Sequence, residues 1–165
     1  MRKGIWRLGA CEAALAMREG EYSCLEVVQS AVARLSSVNP DLNAVTVDLT
    51  KEALDAAKEA DLALSNGINP GPLYGVPITL KENIDLEGKA TTLGVSHFLN
   101  NVAPGDAPVV RSLKEAGAII IGQTNMPEFG LRWVTDNPLR GSTNNPWDPK
   151  RRSDERRVGQ ACRPR

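Results

Sequence analysis

The chain has 165 residues, with 20 Lys plus Arg against 20 Asp plus Glu, 41% apolar residues and only 4% aromatic ones; this is the composition of an ordinary globular domain. No run approaches the roughly 18 consecutive apolar residues that a membrane helix needs, and Met1-Arg2-Lys3-Gly4-Ile5-Trp6-Arg7 lacks the apolar stretch of a secretory signal. A cytoplasmic protein of one domain's length is the expectation. The zero net charge is unevenly spread: Lys150 to Arg165 carry seven cations and two anions, a net +5, which leaves −5 for everything before them. A mildly acidic body gives no reason to expect nucleic acid as a partner, although the basic tail by itself has the charge of a nucleic-acid arm. Cys11, Cys24 and Cys162 are odd in number and form no C-x-x-C pair, so neither a disulfide framework nor a zinc site is indicated. Cys11 and Cys24 lie among Ala, Leu and Val and read as small buried hydrophobes.

Taken in chain order, Cys11 to Arg18 carries apolar residues at helical spacing. Ser23-Cys24-Leu25-Glu26 has the form of a capping box and opens a helix to about Val38, with Leu25, Val28, Val32 and Leu35 on one stripe and Asn39-Pro40 as the stop. A short strand, Ala44 to Val47, follows. Thr50 is placed to cap an Ala-rich helix through Ser65, where Asn66-Gly67 supplies a left-handed exit. Gly71 to Pro77 is turn chemistry leading into Ile78-Thr79-Leu80-Lys81, a strand with the lysine at its end. Asp106 is placed to cap a helix from Ala107 to Ala116, closed by Gly117, and Ala118 to Ile121 reads as a strand buried on both faces. Helix followed by buried strand indicates an α/β layer architecture. From Gln123 to Lys150 the four prolines, with several Asn and Gly, give no periodic element, which points to a functional loop or to a segment whose packing partners lie elsewhere.

The usual catalytic constellations are sparse. His97 is the single histidine, so no second one completes a metal site, and a lone histidine in a loop is ordinarily structural or exposed. Neither a G-x-S-x-G elbow nor a phosphate loop is present. Lys81 stands apart because it ends the apolar run Val76 to Leu80. Chemistry alone leaves two readings open: a strand-end lysine reaching solvent, or a desolvated lysine with lowered pKa acting as a general base.

Several segments resemble, in order and spacing, the amidase signature family. Gly71-Pro72-Leu73-Tyr74-Gly75-Val76-Pro77-Ile78-Thr79-Leu80-Lys81-Glu82-Asn83-Ile84 is similar to its catalytic-lysine segment, and Ala90-Thr91-Thr92-Leu93-Gly94 to its Thr-Thr-x-Gly turn. Asp106 to Gly117 resembles its D-A-x-x-V helix, and Gly122 to Phe129 its Thr-Asn-Met-x-Glu-Phe loop. Asn137-Pro138, Gly141 and Asn145-Pro146-Trp147 are similar to the stretch before the signature itself. The resemblance runs from about Ile5 to Arg151. It implies an α/β fold with a mixed sheet between helix layers, of which this chain is the N-terminal part, and hydrolysis of carboxylic amides through a Ser, cis-Ser, Lys triad and an acyl-enzyme. It implies no metal and no organic cofactor, a small-molecule amide as the substrate of the full-length form, neither nucleic acid nor membrane as partner, and a homodimer as one state open to that form. An amidotransferase A-type subunit, or a non-catalytic interaction module, is the alternative.

Lys81 carries over onto the family's lysine. The serines do not. The family continues into Gly-Gly-Ser-Ser-Gly-Gly, which places the two glycines at Asp154 and Glu155 and the cis-serine at Arg156, and arginine cannot relay a proton as a hydroxyl does. The nucleophile falls beyond Arg165, so the chain as given is expected to be inactive. Residues 1–151 are therefore read as the N-terminal portion of an amidase domain. Residues 152–165, similar to a peptide translated from sequencing-adapter read-through, are read as a non-family tail that is artefactual or disordered.

Overall fold

A computed structural model of the chain describes residues 4–68 and 71–148. Helices α1 (Ala10–Arg18), α2 (Cys24–Leu42) and α3 (Thr50–Ser65) precede α4 (Pro108–Glu115), and the strands are β1 (Val45–Asp48), β2 (Pro77–Lys81) and β3 (Ile119–Thr124). The three strands form one sheet in the order β1-β3-β2. The Ile119 N–H donates to the Val76 carbonyl and that of Glu82 to Thr124, so β2 and β3 run parallel. Leu49 donates to Ile121 and Asn125 to Ala44, so β1 is antiparallel to β3. The expected small mixed sheet in an α/β protein is present.

Packing divides the chain into two units. The first comprises Met1–Ser37, Asp48–Leu80 and Pro108–Gly122, and the second Val38–Val47, Lys81–Ala107 and Gln123–Arg165. The first holds the apolar core, in which Ala13, Ala14 and Met17 of α1 meet Cys24, Val27 and Val28 of α2, Ala53 and Ala57 of α3, Tyr74, Val76, and Ile119 and Ile121 of β3. Small alanines on α1 and α3 let the backbones approach closely. The capping box at the start of α2 forms as expected: the Ser23 N–H donates to Glu26 Oε2 at 2.8 Å and the Glu26 N–H to Ser23 Oγ at 3.1 Å. A carboxylate from α3 adds to it, since Asp61 accepts the N–H groups of Cys24 (2.7 Å) and Leu25 (3.0 Å) and lies within 3.4 Å of the Tyr74 hydroxyl.

Several local expectations are corrected. Helix α2 does not stop at Asn39 but carries Pro40 inside its last turn and ends at Leu42. A proline there removes one donor only, and the Asn43 N–H still reaches the Asn39 carbonyl at 2.7 Å. Thr50 is the first residue of α3 rather than its cap; Asp48 Oδ1 accepts the Thr50 N–H at 2.8 Å, two residues upstream. Helix α4 runs from Pro108 to Glu115, one residue short of expectation at each end. Strand β3 runs on to Thr124, and a 3-10 turn at Glu128–Gly130 follows in the stretch read as element-free. Cys11 is exposed, whereas Cys24 is fully buried as expected. Cys162 lies outside the described residues.

Burial, then the negative charge of Asp61, pushes the Cys24 thiol up to about 12 and, in the same order, the Tyr74 hydroxyl up to about 12. An unfolded thiol ionises near its ordinary 9.0, so above that pH the unfolded chain binds fewer protons than the folded one and stability falls as pH rises toward 12. Urea unfolding followed between pH 9 and pH 12 should show this decline, shallower in Cys24→Ala. A decline of equal slope in that variant would show that Cys24 is not its source.

Candidate active site

Lys81 sits where β2 ends. The pleat turns alternate side chains to opposite faces, and the pattern here is Leu80 buried, Lys81 exposed and Glu82 fully buried. Of the two readings left open by the sequence, exposure in this chain agrees with the solvent-reaching one. The side chain is nonetheless held: Lys81 Nζ donates to the backbone carbonyl of Asn125 at 2.5 Å. Asn125 belongs to the Thr-Asn-Met-Pro-Glu-Phe loop, so two motifs 44 residues apart meet at one hydrogen bond.

A buried polar network surrounds this point. Glu82 Oε1 accepts the Thr92 hydroxyl at 2.5 Å and pairs with Arg140 Nη2 at 3.2 Å. Thr92 Oγ1 in turn accepts the Gly94 N–H at 3.2 Å. The Thr-Thr-x-Gly turn is thereby explained, because its second threonine links its own glycine to the residue after the lysine. Leu93 (φ 53°) and Phe129 (φ 52°) both lie in the left-handed region, and the Phe129 N–H donates to the Leu93 carbonyl at 2.9 Å, which joins the turn to the Asn-Met-Pro loop. A Cβ on Gly94 would stand 3.0 Å from the Met126 carbonyl oxygen, so the two loops approach too closely for a side chain.

Asn125 is 2% exposed and fully engaged. Its Nδ2 donates to the Gly141 carbonyl (3.0 Å) and to Thr143 Oγ1 (3.1 Å), while its Oδ1 accepts the Met126 N–H (3.0 Å) and Asn137 Nδ2 (2.8 Å). Asn137 Nδ2 also reaches the Met126 carbonyl at 2.7 Å, and Asn137 Oδ1 accepts the Arg140 N–H at 2.6 Å. Asn43, itself at φ 50°, donates through Nδ2 to the carbonyls of Arg140 and Ser142, and its own carbonyl accepts the Thr143 hydroxyl at 2.8 Å. Among the described residues, Glu82 Oε2, Gln123 Oε1 and Arg140 Nε are buried atoms of this region without a hydrogen-bond partner.

His97 lies exposed in a 3-10 turn with its ring 5.6 Å from that of Phe98, and no group of His, Cys, Asp and Glu among the described residues has metal-binding geometry. Asp154, Glu155 and Arg156 lie outside the described residues. Sequence reasoning assigns no role to Glu82, Asn137 or Arg140, although each falls within or beside a quoted motif. Leu131 and Trp133, each 82% exposed, and Trp147, 87% exposed, are large apolar side chains left in solvent in the second unit. No helix among the described residues is long and apolar enough to cross a membrane.

The chain belongs to the amidase family, whose model matches residues 26–153. It is 54% identical over 145 residues to the indoleacetamide hydrolase of Bradyrhizobium diazoefficiens, covering 88% of this chain and 28% of that protein. The A-type subunit of the glutamyl-tRNA(Gln) amidotransferase from Carboxydothermus hydrogenoformans is 36% identical, covering 89% of this chain and 30% of its own length. Among solved structures, fatty acid amide hydrolase superposes with a TM-score of 0.82 at 29% identity (86% of this chain, 25% of that one). The peptide amidase of Stenotrophomonas maltophilia superposes with 0.77 at 29% identity (86% and 30%). The chain thus spans under a third of the length of each of these relatives.

Proposed function

We propose that this chain is the lysine-bearing portion of an amidase that hydrolyses small carboxylic amides, with Lys81 as the base of a Ser, cis-Ser, Lys relay. The observation that carries the proposal is the meeting of Lys81 Nζ with the Asn125 carbonyl, which brings the lysine segment and the Thr-Asn-Met loop of one family together at one point. In the relay a neutral lysine takes the proton of a bridging serine, that serine takes the proton of the nucleophile, and the proton returns to the departing amine. Within the 165 residues Lys81 is the one triad member that matches, so the chain alone should be inactive. The amidase reading is favoured over an amidotransferase component because the hydrolase relative is 54% identical and the amidotransferase relative 36%.

The test joins residues 1–151 to the part of the Bradyrhizobium indoleacetamide hydrolase that lies beyond its matched region. The chimera should release amine or ammonia from one or more members of a panel of aryl and aliphatic amides, while the 165-residue chain releases none. A folded chimera without amidase activity, or Lys81-dependent turnover by the 165-residue chain alone, would overturn the reading.

A further inference from the structure

We infer that Asn137 and Thr143 are positioning residues for Lys81, acting through the Asn125 to Met126 peptide; the inference rests on the reading of Lys81 as the base. A peptide unit is planar, so holding its N–H also fixes the direction of its carbonyl. The Asn125 carbonyl that accepts Lys81 Nζ and the Met126 N–H belong to one such unit, and that N–H is held at 3.0 Å by Asn125's own Oδ1. The side-chain amide making this bond cannot turn, because its remaining capacity is filled. Asn137 Nδ2 occupies Oδ1 at 2.8 Å, and Thr143 Oγ1 and the Gly141 carbonyl take the two Nδ2 hydrogens.

Asn137 is suited to this task by its own anchorage. It is 3% exposed, its Nδ2 also grips the Met126 carbonyl at 2.7 Å, and its Oδ1 is held by the Arg140 N–H. The next peptide along is therefore fixed too. Thr143 is anchored by donating its hydroxyl hydrogen to the Asn43 carbonyl at 2.8 Å, which leaves its lone pairs for Asn125. Neither residue touches Lys81. What they set is the place and direction of the acceptor against which the long Lys81 side chain comes to rest, and in an enzyme whose base must meet a serine hydroxyl such aim decides how often the geometry is productive.

The test reads Lys81 directly and needs no turnover. The 165-residue chain is treated with a small activated acetyl ester, and acetylation of each lysine is followed by peptide mass spectrometry, with Lys51 and Lys58 of α3 as internal references. In Asn137→Asp, which keeps the shape but removes both donated bonds, and in Thr143→Val, which removes the hydroxyl, Lys81 should be acetylated about three- to tenfold faster than in the parent chain, the range one net hydrogen bond is worth. Lys51 and Lys58 should be unchanged, and Thr143→Ser should restore the parental rate. Unchanged Lys81 labelling in either folded variant overturns the inference, as does equal acceleration of all three lysines in both variants, which would assign the two residues to the fold in general. An active chimera with unaltered Lys81 labelling would sink this inference and leave the proposed function standing; a folded but inactive chimera with accelerated labelling would overturn the proposed function and leave only the tether of Lys81 to Asn125.

Discussion

Lys81→Ala in the chimera should lower kcat/KM by about two to four orders of magnitude, the range over which a positioned general base contributes. Lys81→Arg should be nearly as damaging. Arginine keeps the positive charge but does not release its proton at any working pH, so it can act as a counter-charge and not as a base. The pair of variants therefore separates two roles. If Arg restores most of the activity lost in Ala, Lys81 serves by its charge and the relay proposed above is wrong. If both fail while the far-ultraviolet spectrum and the unfolding midpoint stay at parental values, the lysine's proton chemistry is what the reaction needs. The structure says why little global damage is expected: Lys81 is exposed, the N–H of the peptide whose carbonyl it leaves is already held by Asn125 Oδ1, and the next peptide's carbonyl is held by Asn137.

Gly75→Ala should cost the chain about 2–4 kcal/mol of stability, combining the left-handed conformation with overpacking of a filled core. Gly75 has φ 68°, and a Cβ there would stand 2.5 Å from Cys24 Sγ and 2.7 Å from Met17 Sδ, two side chains at the centre of the apolar core. Met17 has several rotatable bonds with which to yield; the short Cys24 side chain, 0% exposed at the start of α2, has only χ1 and moves within a packed core. Gly20→Ala is the matched control, with φ 72° and no atom within 4 Å of the new methyl, so it should show only the backbone cost of about 1–2 kcal/mol. Urea midpoints that fall by the same amount for both variants would remove the packing argument.

Much of the secondary structure is legible in the sequence. The capping box at Ser23 and Glu26, the lysine closing β2, the left-handed exit at Gly67 and the isoleucine run of β3 all rest on interactions within one turn or on the pleat of one strand. The boundary errors share a cause. Residue type alone makes Pro40 a stop and Thr50 a cap, while their neighbours settle the outcome: Asn39 still accepts the Asn43 N–H, and Asp48 already holds the Thr50 N–H. Composition places Cys11 in the interior, but its position on α1 turns it to solvent.

What the sequence by itself determined is the family, the α/β order of elements and the place of Lys81 at a strand end, since motif spacing, caps and breakers act over a few residues. Only the tertiary structure decided that Lys81 is exposed yet tethered to Asn125, that Glu82 takes Thr92 and Arg140, and that Asn137 and Thr143 hold the Asn125 side chain. Those partners lie 44 residues from Lys81 in one case, 58 from Glu82 in another, and 100 from Thr143 to Asn43. The physical reason is that a buried polar side chain must find its hydrogen bonds wherever packing brings a complementary group, and no local pattern of hydrophobicity records which group that is.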